Sequence, residues 1–250
     1  MTVSYIVPSR TFGAGAVAAL LLLGGCSSVG STLGSIGSAF SMQTRTVNHD
    51  IPAANEIDSE RTRKLFLIVV EGLRKQGKSR AALAFLEDYN RQYPNDPKAE
   101  LLQADCLMDD GGTEQASAIY ARLKTGPNAA AAHAGLGRIA ASRRDWAGAV
   151  VQFGEATRRD PSNPSYVNDL GFAQVRAGEY EPGIARLQQA AQLDPNNRVV
   201  RNNLILGLTF AGRSGQAAQI VETIADPADR ERASQLLRVS AASAAPIPSP

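Results

Sequence analysis

Several residue types are scarce in this chain of 250 residues, and each scarcity excludes a class of protein. Only two cysteines and two histidines occur, aromatic residues make up 6% of the chain, and the formal net charge is +2. Two cysteines cannot build a disulfide framework, and a nearly neutral chain lacks the basic excess that nucleic-acid binding requires. The most apolar segment, Phe12 to Gly25, is shorter than the about 20 residues of a membrane-spanning helix.

Residues suited to catalysis are equally rare. Neither His49 nor His133 has a cysteine, histidine or carboxylate at ligand spacing, which disfavours a metal site. No phosphate-binding loop and no motif around a nucleophile is present. Cys106 lies in an apolar helical pattern, as a small buried hydrophobe does. We therefore expect no catalytic residue and no metal, and we predict that the protein is not an enzyme.

The first 25 residues have the layout of a secretory signal peptide. Arg10 precedes an uncharged segment rich in leucine and alanine, and this segment ends at Leu23-Gly24-Gly25-Cys26. These four residues resemble the lipobox of bacterial lipoproteins; an ordinary signal peptide with an incidental cysteine is the alternative. The resemblance implies cleavage before Cys26 and covalent lipid on that residue as the only attached group. Ser27 follows instead of aspartate, which by analogy implies an outer-membrane anchor with the body facing the periplasm.

Residues 26–55 are dominated by serine and glycine, a composition typical of a flexible tether. The folded part is expected over residues 56–239. The last residues, 240–250, read AASAAPIPSP after Ser240 and are expected to be a disordered tail.

An internal repeat of 34 residues defines the folded part. Residues 130–163 align with residues 164–197, so that Leu136-Gly137 falls on Leu170-Gly171 and Asp160-Pro161 falls on Asp194-Pro195. These residues are the signature of the tetratricopeptide repeat, which the sequence strongly resembles. The same register predicts weaker repeats at 63–96 and 97–129, an atypical one at 198–231, and a final capping helix. The predicted fold is an all-α tetratricopeptide repeat superhelix of about five helix-turn-helix units.

Two sets of side chains follow from this register. Small residues should lie where the two helices of a repeat cross, since larger side chains would separate them. These packing residues are Gly137, Ala149, Gly171, Gly183 and Ala217. The concave surface should be lined by the fifth and ninth residues of the first helices, which share one face. These groove residues are Asn168 and Asn202 at the fifth position, and Arg138, Phe172 and Leu206 at the ninth.

The groove predicts a protein partner, because such surfaces usually bind an extended peptide or a helix of another protein. The two asparagines could pair with a ligand backbone, since an amide both donates and accepts. The alternative is that these amides join neighbouring repeats by hydrogen bonds. The sequence leaves open which partner segment is bound and whether the chain forms oligomers.

The C-terminal half, notably VRNNL followed by AGR, resembles the TadD lipoproteins of tight-adherence (Flp) pilus assembly. This resemblance implies an outer-membrane pilotin or assembly factor whose groove engages the secretin or a neighbouring pilus component. Two other roles stay open. One is a pilotin of a type IV pilus or a type II secretion system, and the other is an envelope adaptor for peptidoglycan enzymes or outer-membrane protein assembly.

Overall fold

The computed structural model describes residues 54–244, which form eleven helices and no strand. The signal peptide, Cys26 and nearly all of the tether lie outside the described residues. The helices are α1 (Ala54–Lys75), α2 (Ser79–Gln92), α3 (Pro97–Asp109), α4 (Thr113–Arg122), α5 (Ala129–Ser142), α6 (Trp146–Arg159), α7 (Pro164–Arg176), α8 (Tyr180–Leu193), α9 (Arg198–Phe210), α10 (Ser214–Glu222) and α11 (Pro227–Ala244). The first ten form five helix pairs, and α11 follows as the cap, so the all-helical repeat fold is confirmed.

Short polar residues and prolines set the helix ends. Helices α6 and α8 each stop just before an Asp-Pro pair, because proline disfavours helical geometry in the residue that precedes it. The next first helices, α7 and α9, begin after Asn163 and Asn197. Each asparagine caps its helix, since its side-chain oxygen accepts from a backbone N–H two residues later, at 3.1 and 3.0 Å.

The tight turn inside each repeat requires a residue in the left-handed region. Gly178 and Gly212 occupy this position after α7 and α9, with φ of 87° and 74°. The central repeat has Arg144 at the equivalent place, with φ of 60°. Its turn therefore forms in spite of a side chain that disfavours this backbone conformation.

Helices of one repeat cross where the side chains are smallest. A Cβ atom added to Gly171 would lie 2.9 Å from the carbonyl oxygen of Gly183, and one added to Gly183 would lie 2.8 Å from the carbonyl oxygen of Gly171. A Cβ on Gly137 would lie 2.6 Å from the ring of Phe153. Ala149 and Ala217 are completely buried. The backbones of α7 and α8 therefore touch directly, and no larger residue fits between them.

Replacing Gly171 by alanine is expected to lower the free energy of unfolding by about 1–3 kcal/mol, because the new methyl group overpacks the α7–α8 crossing. Gly154→Ala is the matched control, since a Cβ added to this helical glycine would have no atom within 4 Å. The control should gain up to about 1 kcal/mol from helix propensity. Urea denaturation followed by circular dichroism measures both changes. Equal effects at the two positions would contradict the close crossing.

The two ends of the helical array differ in detail from the predicted boundaries. Helix α1 begins at Ala54 rather than at Arg63, where the first repeat was predicted to start. Helix α11 continues to Ala244, although a disordered tail was expected from residue 240. Alanine favours helix there, and the hydroxyl groups of Ser240 and Ser243 donate to carbonyls in the preceding turn. None of the helices in residues 54–244 is both long and apolar enough to cross a membrane.

Candidate functional site

The first helices of neighbouring repeats lie side by side and form the face predicted to be the groove. Helix α1 contacts α3, α3 contacts α5, and α7 contacts α9. The three ninth-position residues, Arg138, Phe172 and Leu206, are all partly buried on these helices. At the fifth position, Asn202 is partly buried and Asn168 is 5% exposed. All five predicted groove residues thus lie on the first helices α5, α7 and α9, although their surroundings differ.

Arg138 belongs to a polar network that joins the first three repeats. Its Nη2 donates to Oδ1 of Asp105 on α3 at 2.8 Å, and the hydroxyl of Tyr120 donates to the same oxygen at 2.6 Å. The other oxygen of Asp105 lies 3.6 Å from Nη1 of Arg74 on α1. Burial alone would lower the pKa of Arg138, but the Asp105 carboxylate raises it. Arg138 is therefore held by a carboxylate of this chain, which limits its availability to a ligand.

The sequence did not single out Asp105, although the repeat register contains the signal. Asp105 is the ninth residue of its repeat and so occupies the position equivalent to Arg138. Its side chain is 15% exposed, and it accepts from Tyr120, whose pKa is raised by burial and by this carboxylate. Opposite charges at equivalent positions of adjacent repeats are brought together because those positions stack along the face.

Asn168 joins two repeats. Its amide oxygen accepts from Nδ2 of Asn203 on α9 at 2.9 Å, and its Nδ2 donates to Oδ1 of Asp169 at 3.0 Å. Burial raises the pKa of Asp169, while the hydrogen bond from Asn168 and the charge of Arg138 act in the opposite direction. This geometry agrees with the alternative that the amides connect repeats. The structure does not pair Asn168 with Asn202, and a binding role for Asn168 stays a prediction.

Asn202 has different surroundings. Its Oδ1 is buried and has no hydrogen-bond partner within residues 54–244. An unsatisfied buried acceptor destabilises a fold by about 1–3 kcal/mol, so such atoms in native proteins call for an explanation. Leu206, one turn further along α9, is partly buried. An unsatisfied amide oxygen and a partly buried aliphatic side chain therefore lie one turn apart on α9.

Helices α6 and α7 meet at an aromatic pair. The rings of Phe172 and Trp146 meet edge to face, with centroids 6.1 Å apart. The guanidinium of Arg176, one turn after Phe172 on α7, lies 4.7 Å from the Trp146 centroid. Neither Trp146 nor Arg176 is among the predicted groove residues. Helices α7 and α9 thus carry amides, an aliphatic side chain, an aromatic ring and a cation, and Trp146 of α6 packs against that ring.

Two residues that were not expected to act in metal binding or catalysis, His133 and Cys106, are buried. His133 is 7% exposed, and its Nδ1 lies 2.9 Å from Oε1 of Gln152. Cys106 is fully buried, and burial raises the pKa of its thiol to about 11. Within the described helices, no group of three or more histidine, cysteine, aspartate or glutamate side chains could hold a metal ion.

The helix pairs, whose first helices lie side by side on one face, define a protein with the tetratricopeptide repeat fold. Comparison with known proteins gives the same class. A TPR repeat-containing protein of Pseudomonas aeruginosa is 27% identical over 161 residues, which are 64% of each chain. The match therefore spans less than two thirds of that relative. No model of a protein family matches this chain.

Solved structures resemble the chain in fold. A TPR protein of Thermus thermophilus superimposes with a TM-score of 0.60 at 21% identity, covering 70% of this chain and 99% of the other. YrrB, a TPR protein with an unusual peptide-binding site, superimposes with a TM-score of 0.51 at 12% identity, covering 73% of this chain and 98% of the other. At these identities the likeness establishes the fold alone.

Proposed function

We propose that this protein binds an extended segment of another protein along the face formed by α7 and α9. The observation that carries this proposal is the unsatisfied, buried Oδ1 of Asn202, one turn before the partly buried Leu206 on α9, with the partly buried Phe172 at the position on α7 that is equivalent to Leu206. After rotation of the Asn202 side chain, a backbone N–H of a bound segment would satisfy this oxygen, while the apolar side chains of the segment would cover Leu206 and Phe172. The peptide-binding site of YrrB, which has the same fold, is consistent with this use.

We further propose that the repeat domain works at the outer membrane, facing the periplasm, from a lipid anchor on Cys26. The support is the lipobox-like Leu23-Gly24-Gly25-Cys26 directly after an apolar segment. One acyl chain attaches a protein only marginally, whereas two or more anchor it stably. A tethered groove meets membrane-bound partners at a high effective concentration.

The particular role proposed is that of a pilotin or assembly factor for the secretin of a tight-adherence pilus. Its support is the combined layout of lipobox, tether and repeats, with the VRNNL and AGR segments that resemble TadD lipoproteins. In this role the groove holds a segment of the secretin while the anchor brings the channel subunit to the outer membrane. The protein acts as a scaffold and catalyses no reaction.

The experiment is crosslinked affinity purification of the native protein from its own outer membranes, with the partners identified by mass spectrometry. The test variant is Asn202→Ala with Leu206→Ala, and the control is Asn90→Ala on the second helix α2. Removing an amide whose buried oxygen is unsatisfied should not lower stability, and urea denaturation measures the cost of Leu206→Ala, so a loss of partner by the folded double variant reports on binding. We expect the double variant to recover at least about tenfold less partner than the unchanged protein, and the control to recover the same amount.

Each outcome separates the roles. A tight-adherence secretin that is retained by Asn90→Ala and lost by the groove variant supports the pilotin role. Another secretin points to a type IV pilus or type II secretion pilotin, whereas peptidoglycan enzymes or barrel-assembly proteins indicate an adaptor. Equal recovery of the partner by both variants would refute the groove as the binding site.

A further inference from the structure

The outer face of α1 is apolar and exposed. Leu65, Ile68 and Val69 are 57%, 63% and 49% exposed, and their spacing places them on one side of the helix. Gly72 continues this row, and no atom lies within 4 Å of a Cβ placed on it. We name Leu65, Ile68, Val69 and Gly72 the α1 row. Contiguous apolar surface of this kind marks an interaction site.

Most positions equivalent to Leu65 and Gly72 are buried in the later repeats. Leu65 is the third residue of its repeat and Gly72 the tenth. The buried third-position residues are Ala99, Ala132 and Val200, and the buried tenth-position residues are Cys106, Ile139, Ala173 and Gly207. In those repeats the second helix of the preceding pair packs against this side, as α2 does on α3 and α8 does on α9. The α1 row is therefore a packing surface for a helix. Within residues 54–244, no helix comes before α1 to cover it.

The C-terminal end of the helical array, formed by α11, has a polar outer surface. Helix α11 buries Ala233 and Ser240 against the body. Its outward side carries the exposed polar residues Glu231, Arg232, Gln235 and Arg238. A charged surface does not complement the α1 row, so stacking the end of one molecule on the start of the next is disfavoured. A symmetric contact between two α1 helices leaves both polar caps in solvent.

The charges beside the α1 row fit such a contact. One flank of the helix carries Glu60, Lys64, Glu71 and Lys75, with Lys64 pairing to Glu60 at 2.6 Å and Lys75 to Glu71 at 2.7 Å. The order of charge along this flank is negative, positive, negative, positive. An antiparallel second helix presents the reverse order, so that Glu60 faces Lys75 of the other copy and Lys64 faces Glu71. Each opposite-charge contact then occurs twice.

We propose that the α1 row binds a second copy of this chain, with the two α1 helices antiparallel and Ile68 close to the two-fold axis. The contact is self-complementary, as a two-fold interface requires. Gly72 lets the helix backbones approach. On the α2 side, the 44% exposed Phe85 contacts the ring of Phe66 and extends the apolar surface. This proposal is independent of the ligand of the groove.

Cysteine crosslinking of the full chain in non-ionic detergent tests the surface. In a Cys26→Ser background, Ile68→Cys is treated with a short bis-maleimide, and Val239→Cys on α11 is the control, since Val239 is an equally exposed apolar residue at the other end. The buried Cys106 should not react. We expect covalent dimers of Ile68→Cys to form at least about tenfold faster than those of the control. Equal rates, or no dimer with Ile68→Cys, would overturn the proposal.

Charge exchange tests the antiparallel order. Lys64→Glu places like charges opposite each other in both symmetric contacts. It should raise the dissociation constant of the dimer, measured by sedimentation velocity, by about fivefold. Adding Glu71→Lys restores opposite charges across the interface, although both intrachain pairs of the helix are then lost. We expect the double variant to dimerise better than Lys64→Glu. A double variant at least as weak as the single one would overturn the antiparallel arrangement.

Discussion

Replacing Asp105 by alanine is expected to lower the free energy of unfolding by about 2–3 kcal/mol, the largest stability effect that we expect from a single polar residue. The carboxylate holds Arg138 at 2.8 Å and the hydroxyl of Tyr120 at 2.6 Å, and Tyr120 is completely buried. Without it, the hydroxyl loses its acceptor and two arginines lose their shared counter-charge. The side chain of Arg138 is 41% exposed and keeps contact with water, so the loss should stay below that of a fully buried ion pair.

Two further variants isolate the charge. Asp105→Asn retains an acceptor for Tyr120 but removes the negative charge, so its effect should be about half that of alanine. Asp88→Ala removes the carboxylate of an exposed pair with Arg91 on α2 and should change stability by less than about 0.5 kcal/mol. Urea denaturation followed by circular dichroism gives the three values. A change at Asp105 no larger than that at Asp88 would mean that the network contributes nothing to stability.

Changing Cys26 to alanine is expected to remove the protein from the outer-membrane fraction, the largest functional effect that we expect. Acyl chains contribute about 0.8 kcal/mol of membrane affinity per buried methylene, so the lipid would account for nearly all of the attachment. The repeat domain should remain folded, because helices α1 to α11 supply nearly all of the buried core residues of the described range 54–244.

Cys106→Ala is the matched control, because it removes the other cysteine of the chain at a buried site. Membrane fractionation with labelled palmitate measures both location and lipid attachment. The control should take up the label and stay in the outer membrane, whereas Cys26→Ala should do neither. If Cys26→Ala remained in the outer membrane, the anchor would have to lie elsewhere, and the lipobox interpretation would be wrong.

The anchor variant Cys26→Ala and the groove variant Asn202→Ala with Leu206→Ala separate membrane attachment from partner binding. Loss of the anchor should displace a folded body, and Asn202→Ala with Leu206→Ala should leave an anchored body without a partner. Asn168→Ala suits this comparison less well than the sequence suggested, because its amide oxygen bonds to Asn203 on the next repeat at 2.9 Å. A loss of binding in that variant would combine a structural effect with any contact to the ligand.

The sequence by itself determined the repeat architecture. The 34-residue register placed the Asp-Pro pairs at the ends of α6 and α8, and it placed Gly171 and Gly183 at a helix crossing. These features are readable because they are local or repeated. Proline restricts the residue before it in any context, and a crossing that recurs along the array leaves small residues at equivalent positions, such as Gly137 and Gly171.

Only the tertiary structure decided which side chains meet across repeats. It paired Arg138 with Asp105, paired Asn168 with Asn203 rather than with Asn202, and left Oδ1 of Asn202 without a partner among the described residues. Neighbouring positions on one helix differ by about 100° in direction, so a small rotation between successive repeats decides which residue faces the next helix. A repeat pattern fixes the order and length of the helices but not this rotation, and the chemistry of the groove depends on it.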